Sequence, residues 1–358
     1  MNISFWDDDT YEFPTGSYPD INPRTIPCTR EEVGAFARYF GPAILSLAFV
    51  VGLVGNGLVL AVLGRHRCPW HFADCFLFQL ATADLLLILT LPFWATQFTQ
   101  GWVFGELLCK LLGALSTMNS YSTVFLLACI SIERYFMIVH AVPLQHRWRL
   151  SHMLLVSAVL WGICFGLSAV ELHFRTVAHF SQAKAQLCHR GFSPKEANSW
   201  RLGLRFTSFT LGFLLPLLVM VYCYCRIFAR LCQARLFCKN SAVHLLLLIL
   251  VLFILCWAPF QGFLLVDSLQ RLGHLERDCA REKVLDFGLL FTESLGLLHS
   301  CLNPLVYAFA GIKFRRELSR LFHRWDRSEE QRQSLSSQDH SLATEVSTAR
   351  AADFSIML

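Results

Sequence analysis

The amino-acid sequence predicts an all-α membrane protein: a seven-transmembrane helix bundle with a short amphipathic cytoplasmic helix. The prediction rests on the composition, on a series of long apolar segments and on the basic residues between them. Of the 358 residues, 54% are hydrophobic and only 16% are charged, and the mean hydropathy is +0.46. An ordinary soluble domain does not have this composition. The net charge of +5 does not indicate a nucleic-acid partner, because the basic residues separate apolar segments instead of forming one basic face.

Seven apolar segments follow one another along the chain. At about 1.5 Å per residue, each is long enough to cross the hydrocarbon of a bilayer. We expect membrane spans at 36–63, 72–98, 107–139, 153–174, 202–232, 243–265 and 284–310. The remaining segments are an acidic N-terminal tail (1–36), an amphipathic helix on the membrane surface (311–324) and a disordered Ser/Thr-rich tail (325–358). The bundle itself is expected at 37–310.

The basic residues predict the orientation of the chain. Basic residues recur on one side of the spans: Arg65, Arg67, Arg147, Arg149, Arg226, Arg230, Arg235, Lys239, Lys313, Arg315, Arg316 and Arg320. The opposite loops also carry some, at Arg175, Lys184, Arg190 and Lys195. Because Lys and Arg are enriched in cytoplasmic loops, the first side is the cytoplasm. We therefore expect a multi-pass protein of the plasma membrane with its N-terminus extracellular and its C-terminus cytoplasmic. Basic and apolar residues alternate over 311–324, which suits a helix lying on anionic membrane lipids.

The N-terminal tail carries two kinds of modification signal. Asn2 begins an Asn-x-Ser glycosylation sequon. Tyr11 and Tyr18 lie close to acidic residues, which is typical of tyrosine sulfation, although a simply solvated acidic tail has the same composition. The residues do not decide between these two interpretations.

The cysteines predict disulfide bonds, not a metal centre. Cys28, Cys109, Cys188 and Cys279 are expected outside the cell, where the compartment is oxidising. Four cysteines allow three pairings, and the sequence does not choose among them. The sequence has no Cys-x-x-Cys and no His-Glu-x-x-His, so no zinc site is expected.

Polar residues inside apolar spans are functional candidates, because they are costly in lipid. Those in the most apolar stretches are Asn56, Asp84, Asn119, Thr123, His299, Ser300 and Asn303. Pro92, Pro216, Pro259 and Pro304 lie within spans and permit kinks. Glu133 and Arg134 place two charges near the end of the third span. Either Arg134 extends to the headgroups, or Glu133 holds it in one state and releases it in another.

Short motifs in order along the chain carry a family resemblance. They are Gly55-Asn56, Leu80-Ala81-Thr82-Ala83-Asp84, Glu133-Arg134-Tyr135, Trp161, Pro216 with Tyr224, Cys256-Trp257-Ala258-Pro259 and Asn303-Pro304-Leu305-Val306-Tyr307. Residues 36 to about 323 thereby resemble a rhodopsin-class G-protein-coupled receptor. Further strings resemble CXC chemokine receptors: Thr90-Leu91-Pro92, Gly101-Trp102-Val103-Phe104-Gly105, Ile138-Val139-His140-Ala141 and His299-Ser300-Cys301. A transporter would show internal repeats, and an intramembrane hydrolase a nucleophile with a base; neither pattern is present.

The resemblance implies a non-enzymatic receptor without a cofactor. It would bind a basic CXC chemokine and signal through an inhibitory-class heterotrimeric G protein, receptor kinases and arrestin, which drives chemotaxis and calcium responses. It implies the pairs Cys28–Cys279 and Cys109–Cys188, and a ligand site at Tyr11, Tyr18, Trp94, Asp267 and Glu293. We expect the ligand's cation to complement carboxylates that have no basic partner in the chain.

The resemblance also assigns the conformational machinery. A sodium ion would bind at Asp84, Thr123, Ser300 and Asn303, and no other metal is implied. The activation switch would comprise Glu133, Arg134, Tyr135, Tyr224, Phe253, Trp257, Pro259, Asn303, Pro304 and Tyr307. Kinase sites would be Ser334, Ser336, Ser337, Ser341, Thr344, Ser347 and Thr348, where phosphate adds negative charge for arrestin.

Three departures from the family pattern keep an alternative function open. Glu133 stands where the family has Asp, 239–244 carries a single Lys where relatives have several basic residues, and 167–170 lacks a Pro. A short basic stretch weakens the expected G-protein contact. The alternative is therefore an atypical receptor that binds a chemokine mainly to internalise it.

Overall fold

The computed structural model describes residues 28, 31–65, 72–140, 150–180, 185–193, 195–233, 241–276, 278–310 and 319. The N-terminal tail before Cys28 lies outside these residues, as do nearly all of the predicted amphipathic helix and the whole C-terminal tail. The sites predicted there stay predictions: Asn2, Tyr11, Tyr18, the kinase sites and the helix at 311–324.

Seven helical spans are long and apolar enough to cross a membrane, as predicted. The first is Glu31–Gly64, the third Gly105–Val139, the fourth Leu150–Phe174, the sixth Ser241–Arg271 and the seventh Cys279–Ala310. The second span consists of helices Phe72–Ile88 and Leu91–Gln100. The fifth consists of helices Ala197–Phe209 and Leu215–Gln233, joined by the π-helical turn Thr210–Leu214.

Several helices extend past the predicted apolar segments. The first span begins at Glu31 instead of residue 36, the sixth continues to Arg271, and the seventh begins at Cys279. Hydropathy detects the part of a helix that lies in hydrocarbon. It does not detect polar turns that continue the same backbone hydrogen bonds into the interface.

Two spans predicted as continuous are interrupted, each next to a proline. Pro92 lies at the first turn of the second helix of its span, where a missing N–H costs least. Just before it, the Thr90 hydroxyl donates to the Leu87 carbonyl at 2.7 Å. In the fifth span the π-helical turn ends at Leu214, two residues before Pro216, which has no N–H to continue the α-helical ladder.

A β-hairpin covers one end of the bundle and was not predicted. Strands β1 (Arg175–Phe180) and β2 (Ala185–Arg190) pair antiparallel, with Arg175 opposite Arg190. The Trp102 amide donates to the Gln186 carbonyl at 2.6 Å, and the Cys188 amide donates to Gln97 Oε1 at 2.8 Å. These bonds fix β2 to the second span and to the loop after it. We call this end of the bundle the hairpin end.

Two disulfides also lie at the hairpin end. Cys109 at the start of the third span bonds to Cys188 in β2, which confirms that pairing. Cys28 bonds to Cys279 at the start of the seventh span, across 251 residues of sequence. Together they attach the hairpin and the chain before the first span to the bundle.

The third span occupies the centre of the bundle, in contact with the second, fourth and fifth spans. The first span packs against the second and seventh, and the sixth against the seventh. Asn56 in the first span donates to the carbonyls of Gly52 at 3.1 Å and Ser300 at 3.0 Å. Such polar bonds between spans each contribute only about 0.6 kcal/mol on average, so close packing supplies most of the stability.

Candidate ligand pocket and polar core

A pocket opens below the hairpin, between the third to seventh spans. The hairpin covers it, and Phe253 and Trp257 of the sixth span are in its wall. Its charged lining residues come from five elements, the two strands and the fourth, fifth and seventh spans: Glu171, Arg175, Arg190, Arg205 and Glu293. The pocket lining therefore carries charges of both signs.

Glu171 is a buried carboxylate of the pocket that accepts several hydrogen bonds, and the sequence analysis did not identify it. Its side chain is 2% exposed, and its Oε2 accepts from Arg175 Nε at 2.8 Å and from Arg190 Nε at 3.1 Å. Its Oε1 accepts from Arg190 Nη2 and from the Thr117 hydroxyl, the latter at 3.1 Å. Like charges directly opposite on paired strands repel, and Glu171 offsets that repulsion between the two arginines. The sequence signal that could have identified Glu171 is its position as a carboxylate inside an apolar span.

Trp94 was predicted to line the pocket. In the structure it lies behind Arg175 instead. Its side chain is 1% exposed, and the Arg175 guanidinium carbon lies 5.2 Å from the centre of its ring. Trp102 packs against the same indole with centroids 5.3 Å apart. The cause of the difference is Arg175, whose side chain fills the space between Trp94 and the pocket.

The expectation that Asp267 has no basic partner in the chain is wrong. Arg205 Nη1 donates to Asp267 Oδ2, and so does Arg271 Nε at 3.0 Å. Arg271 follows Asp267 by one helical turn, and Arg205 comes from the fifth span. Glu293 does line the pocket, from the seventh span.

The four predicted sodium ligands come together around Asp84. This carboxylate is fully buried, and its Oδ1 lies 3.4 Å from Asn119 Nδ2 and 3.5 Å from the Thr123 hydroxyl. Its Oδ2 accepts from Asn303 Nδ2 at 3.1 Å, and Ser300 also hydrogen-bonds to the group. One carboxylate with hydroxyl and amide oxygens suits a hard monovalent cation. No cluster of three or more His, Cys, Asp or Glu side chains suited to a metal ion occurs among the described residues.

Trp257 and Phe253 line the pocket from the sixth span, and both contact the seventh span. A Cβ at Gly296 would lie 3.2 Å from the Trp257 ring, so the indole packs directly on the seventh-span backbone. Phe253 makes an edge contact with His299, with ring centroids 5.7 Å apart. His299 precedes Ser300, which bonds to Asp84. Pro259 and Pro304 are both inside helices, as expected.

At the opposite end of the bundle, Glu133 Oε2 lies 3.1 Å from Arg134 Nε. The Glu133 side chain is 4% exposed and that of Arg134 is 24% exposed. This pairing favours the interpretation in which Glu133 holds Arg134. The Tyr224 hydroxyl hydrogen-bonds with Ser131 at 3.2 Å, and Tyr135 hydrogen-bonds with His140 at 3.0 Å. The Tyr307 side chain lies outside the described residues.

Comparison with known proteins identifies the family. Residues 55–307 match the family model described as 7 transmembrane receptor (rhodopsin family). The chain is 42% identical to C-X-C chemokine receptor type 3 of Homo sapiens over 326 residues, covering 90% of this chain and 88% of that protein. It is 43% identical over 292 residues to the type 3 receptor of Bos taurus, covering 82% and 79%. It is 38% identical over 312 residues to C-X-C chemokine receptor type 2 of Macaca mulatta, covering 87% of each.

The fold and the family match define a seven-transmembrane receptor of the rhodopsin family. Within that family, the chain belongs to the CXC chemokine receptors. Its members are multi-pass receptors of the plasma membrane that signal and are not enzymes, which excludes the transporter and hydrolase alternatives.

Proposed function

We propose that this receptor binds a basic CXC chemokine outside the cell and signals inside it. Signalling proceeds through an inhibitory-class G protein, with receptor kinases and arrestin acting afterwards. Proteins similar to this chain over most of its length are C-X-C chemokine receptors. This similarity supports a CXC chemokine as the ligand.

In this proposal the hairpin end faces the extracellular space. Both disulfides lie at that end, and disulfides persist in oxidising compartments. Arg226 and Arg230 lie near the opposite end of the fifth span, as expected of cytoplasmic residues. The N-terminus is then extracellular and the C-terminus cytoplasmic.

The chemokine would first contact the acidic tail around Tyr11 and Tyr18, where opposite charge raises the rate of encounter more than the final affinity. Its charged amino terminus would then enter the pocket towards Glu293. Asp267 would act indirectly, because it accepts hydrogen bonds from Arg205 and Arg271.

A line of contacts from the pocket to the Asp84 site carries the proposal. Two sixth-span residues that line the pocket contact the seventh span: Trp257 packs on Gly296, and Phe253 packs against His299, which precedes Ser300 of the Asp84 group. Sodium at Asp84 would favour the resting arrangement, and a movement of Trp257 on ligand binding would disturb it. Prolines inside the sixth and seventh spans permit two helix arrangements.

In the active arrangement the cytoplasmic end opens to the G protein. Arg134 then leaves Glu133 and meets Tyr224 and Tyr307, with Tyr135 at the same interface. Kinases would afterwards phosphorylate the serines and threonines of the C-terminal tail, and the added charge would bind arrestin.

The test is to express the chain in cells, add a panel of CXC chemokines, and record inhibitory G-protein dissociation and arrestin recruitment from the same wells. Both signals with one chemokine support the proposal and name the ligand. The matched control is Arg134→Ala, which leaves the pocket intact and should bind the chemokine without G-protein dissociation.

Arrestin recruitment or uptake without G-protein dissociation would replace the signalling proposal with the scavenging alternative. If neither G-protein dissociation nor arrestin recruitment is detected, and the receptor is at the cell surface but binds no chemokine, the chemokine assignment is overturned.

A further inference from the structure

The side chain of Arg175 stands where a cationic group of a ligand would otherwise sit. We infer that Arg175 is an internal cation: it occupies a cation subsite formed by Trp94 and Glu171, and so closes that side of the pocket to the charged group of a ligand. The consequence for ligand selection rests on the proposed function. The occupation of the subsite does not.

Trp94 and Glu171 together have the chemistry of a cation site. A guanidinium or ammonium is attracted to the face of an indole, most strongly where water is excluded. The Arg175 guanidinium carbon lies 5.2 Å from the Trp94 ring centre, and its Nε donates to Glu171 Oε2 at 2.8 Å. The side chains of Arg175 and Glu171 are 1% and 2% exposed, so both charges are desolvated.

The third span leaves room for this guanidinium at Gly113. A Cβ added there would overlap the Arg175 side chain and would lie 2.9 Å from its Cζ. The absence of a side chain at Gly113 therefore permits the buried position of Arg175. Arg175 Nη1 also lies 3.8 Å from Cys188 Sγ, beside the disulfide that attaches β2 to the third span.

This arrangement gives the pocket two sides with different carboxylates: Glu171, bonded to two arginines, on one side and Glu293 on the other. Glu171 accepts hydrogen bonds from Arg175 and Arg190, and Asp267 accepts them from Arg205 and Arg271. Glu293 lines the pocket from the seventh span. Arg175 thereby closes the Trp94 and Glu171 side of the pocket to a cationic ligand group, and it is a residue that determines ligand specificity.

Chemical rescue tests the internal cation directly. Arg175→Ala removes a fragment that corresponds to ethylguanidinium. The full-length receptor is purified into nanodiscs, and its thermal unfolding is followed with millimolar ethylguanidinium chloride or with the neutral analogue ethylurea, at matched ionic strength. We expect ethylguanidinium to raise the Tm of Arg175→Ala by about 2–4 °C and ethylurea to leave it unchanged.

The wild-type protein and Arg38→Ala serve as controls. The wild-type subsite is already occupied, and Arg38 is an exposed arginine of the first span whose removal leaves no buried space. Neither should respond to ethylguanidinium. An equal rise in all three proteins, or no rise in Arg175→Ala, overturns the inference.

A second variant keeps the inference testable if Arg175→Ala does not fold. Alanine is favoured over glycine in helices, yet Gly113→Ala should lower the Tm of the wild-type protein because it displaces Arg175. In the Arg175→Ala background the same change should be harmless, or should restore folding by filling the space. A Gly113→Ala variant as stable as wild type contradicts the inference.

These measurements need no chemokine. A failed rescue leaves the signalling proposal intact, and a failed chemokine panel leaves the internal cation intact.

Discussion

Two buried carboxylates of this bundle, Asp84 and Glu171, each accept hydrogen bonds from several donors. Asp84 accepts them from Asn119, Thr123 and Asn303, and Glu171 from two arginines and a threonine. An ionised group is costly in an environment without water unless such partners satisfy it. Replacing the carboxylate therefore affects several donors at once.

Glu171→Gln should be among the most destabilising conservative changes in the receptor. It leaves Arg175 and Arg190 facing each other without their shared counter-ion, and breaking a buried ion pair costs about 3–5 kcal/mol. Thermal unfolding in detergent measures the loss. The control is Glu106→Gln, because Glu106 is 55% exposed and pairs with Lys110 at 2.7 Å, and exposed pairs contribute about 0–1 kcal/mol. Equal effects of the two changes would contradict the role of Glu171.

Asp84→Asn should abolish the stabilisation of the receptor by sodium. The wild-type Tm is expected to be higher in sodium chloride than in choline chloride, because a ligand that binds only the folded state stabilises it. The amide removes the negative charge and leaves the size nearly unchanged, so the variant should have the same Tm in both salts. A sodium effect that persists in the variant would locate the ion elsewhere.

At the scale of the element, hydropathy was sufficient to predict the seven spans. It could not predict where the helices within them are interrupted. All seven spans could be predicted, because a run of about twenty apolar residues is rare outside a membrane span. The π-helical turn before Pro216 could not, since a proline indicates a break without specifying its form. The hairpin was missed because two isolated strands are marginal by themselves, and this pair depends on Trp102 and Gln97 for its position.

Two glycines of the first span give a matched test of its packing. A Cβ at Gly52 would overlap Ile88 and lie 3.0 Å from Cys301 Sγ, whereas a Cβ at Gly57 would have no neighbour within 4 Å. Gly52→Ala should therefore lower the Tm, and Gly57→Ala should leave it unchanged or raise it, since alanine is worth up to about 1 kcal/mol more than glycine in a helix. The comparison is made by thermal unfolding of the purified receptors. The opposite order of the two Tm values would mean that the first span does not pack against the second and seventh as described.

At the scale of the whole molecule, sequence motifs predicted which polar residues meet and failed to predict how charges pair. Thr123, Ser300 and Asn303 were expected beside Asp84 from the family resemblance, and Asn119 was not assigned to that site. The partners of Asp267 were not foreseen, because Arg205 reaches it from another span and carries no motif of its own. Arg175 was missed for the same reason, since only the folded chain places it over Trp94.

The orientation of the whole chain is testable with two epitope tags. A tag before Met1 should be accessible to antibody on intact cells, and a tag after Leu358 only after permeabilisation, because the basic residues select the cytoplasmic side. Flow cytometry of the same cells with and without detergent measures both. The reverse pattern would invert every assignment of an extracellular or cytoplasmic site.

The bond between Asn56 and the Ser300 carbonyl joins residues 244 positions apart in the sequence. This sequence separation has a consequence for biosynthesis. A ribosome needs about 10–50 s to make that length of chain. During this interval the newborn first span remains in the membrane of the endoplasmic reticulum before the seventh span exists. Until then the surface at Gly52 lacks its seventh-span neighbour Cys301, and the Asn56 amide has only its bond to the Gly52 carbonyl of the same helix.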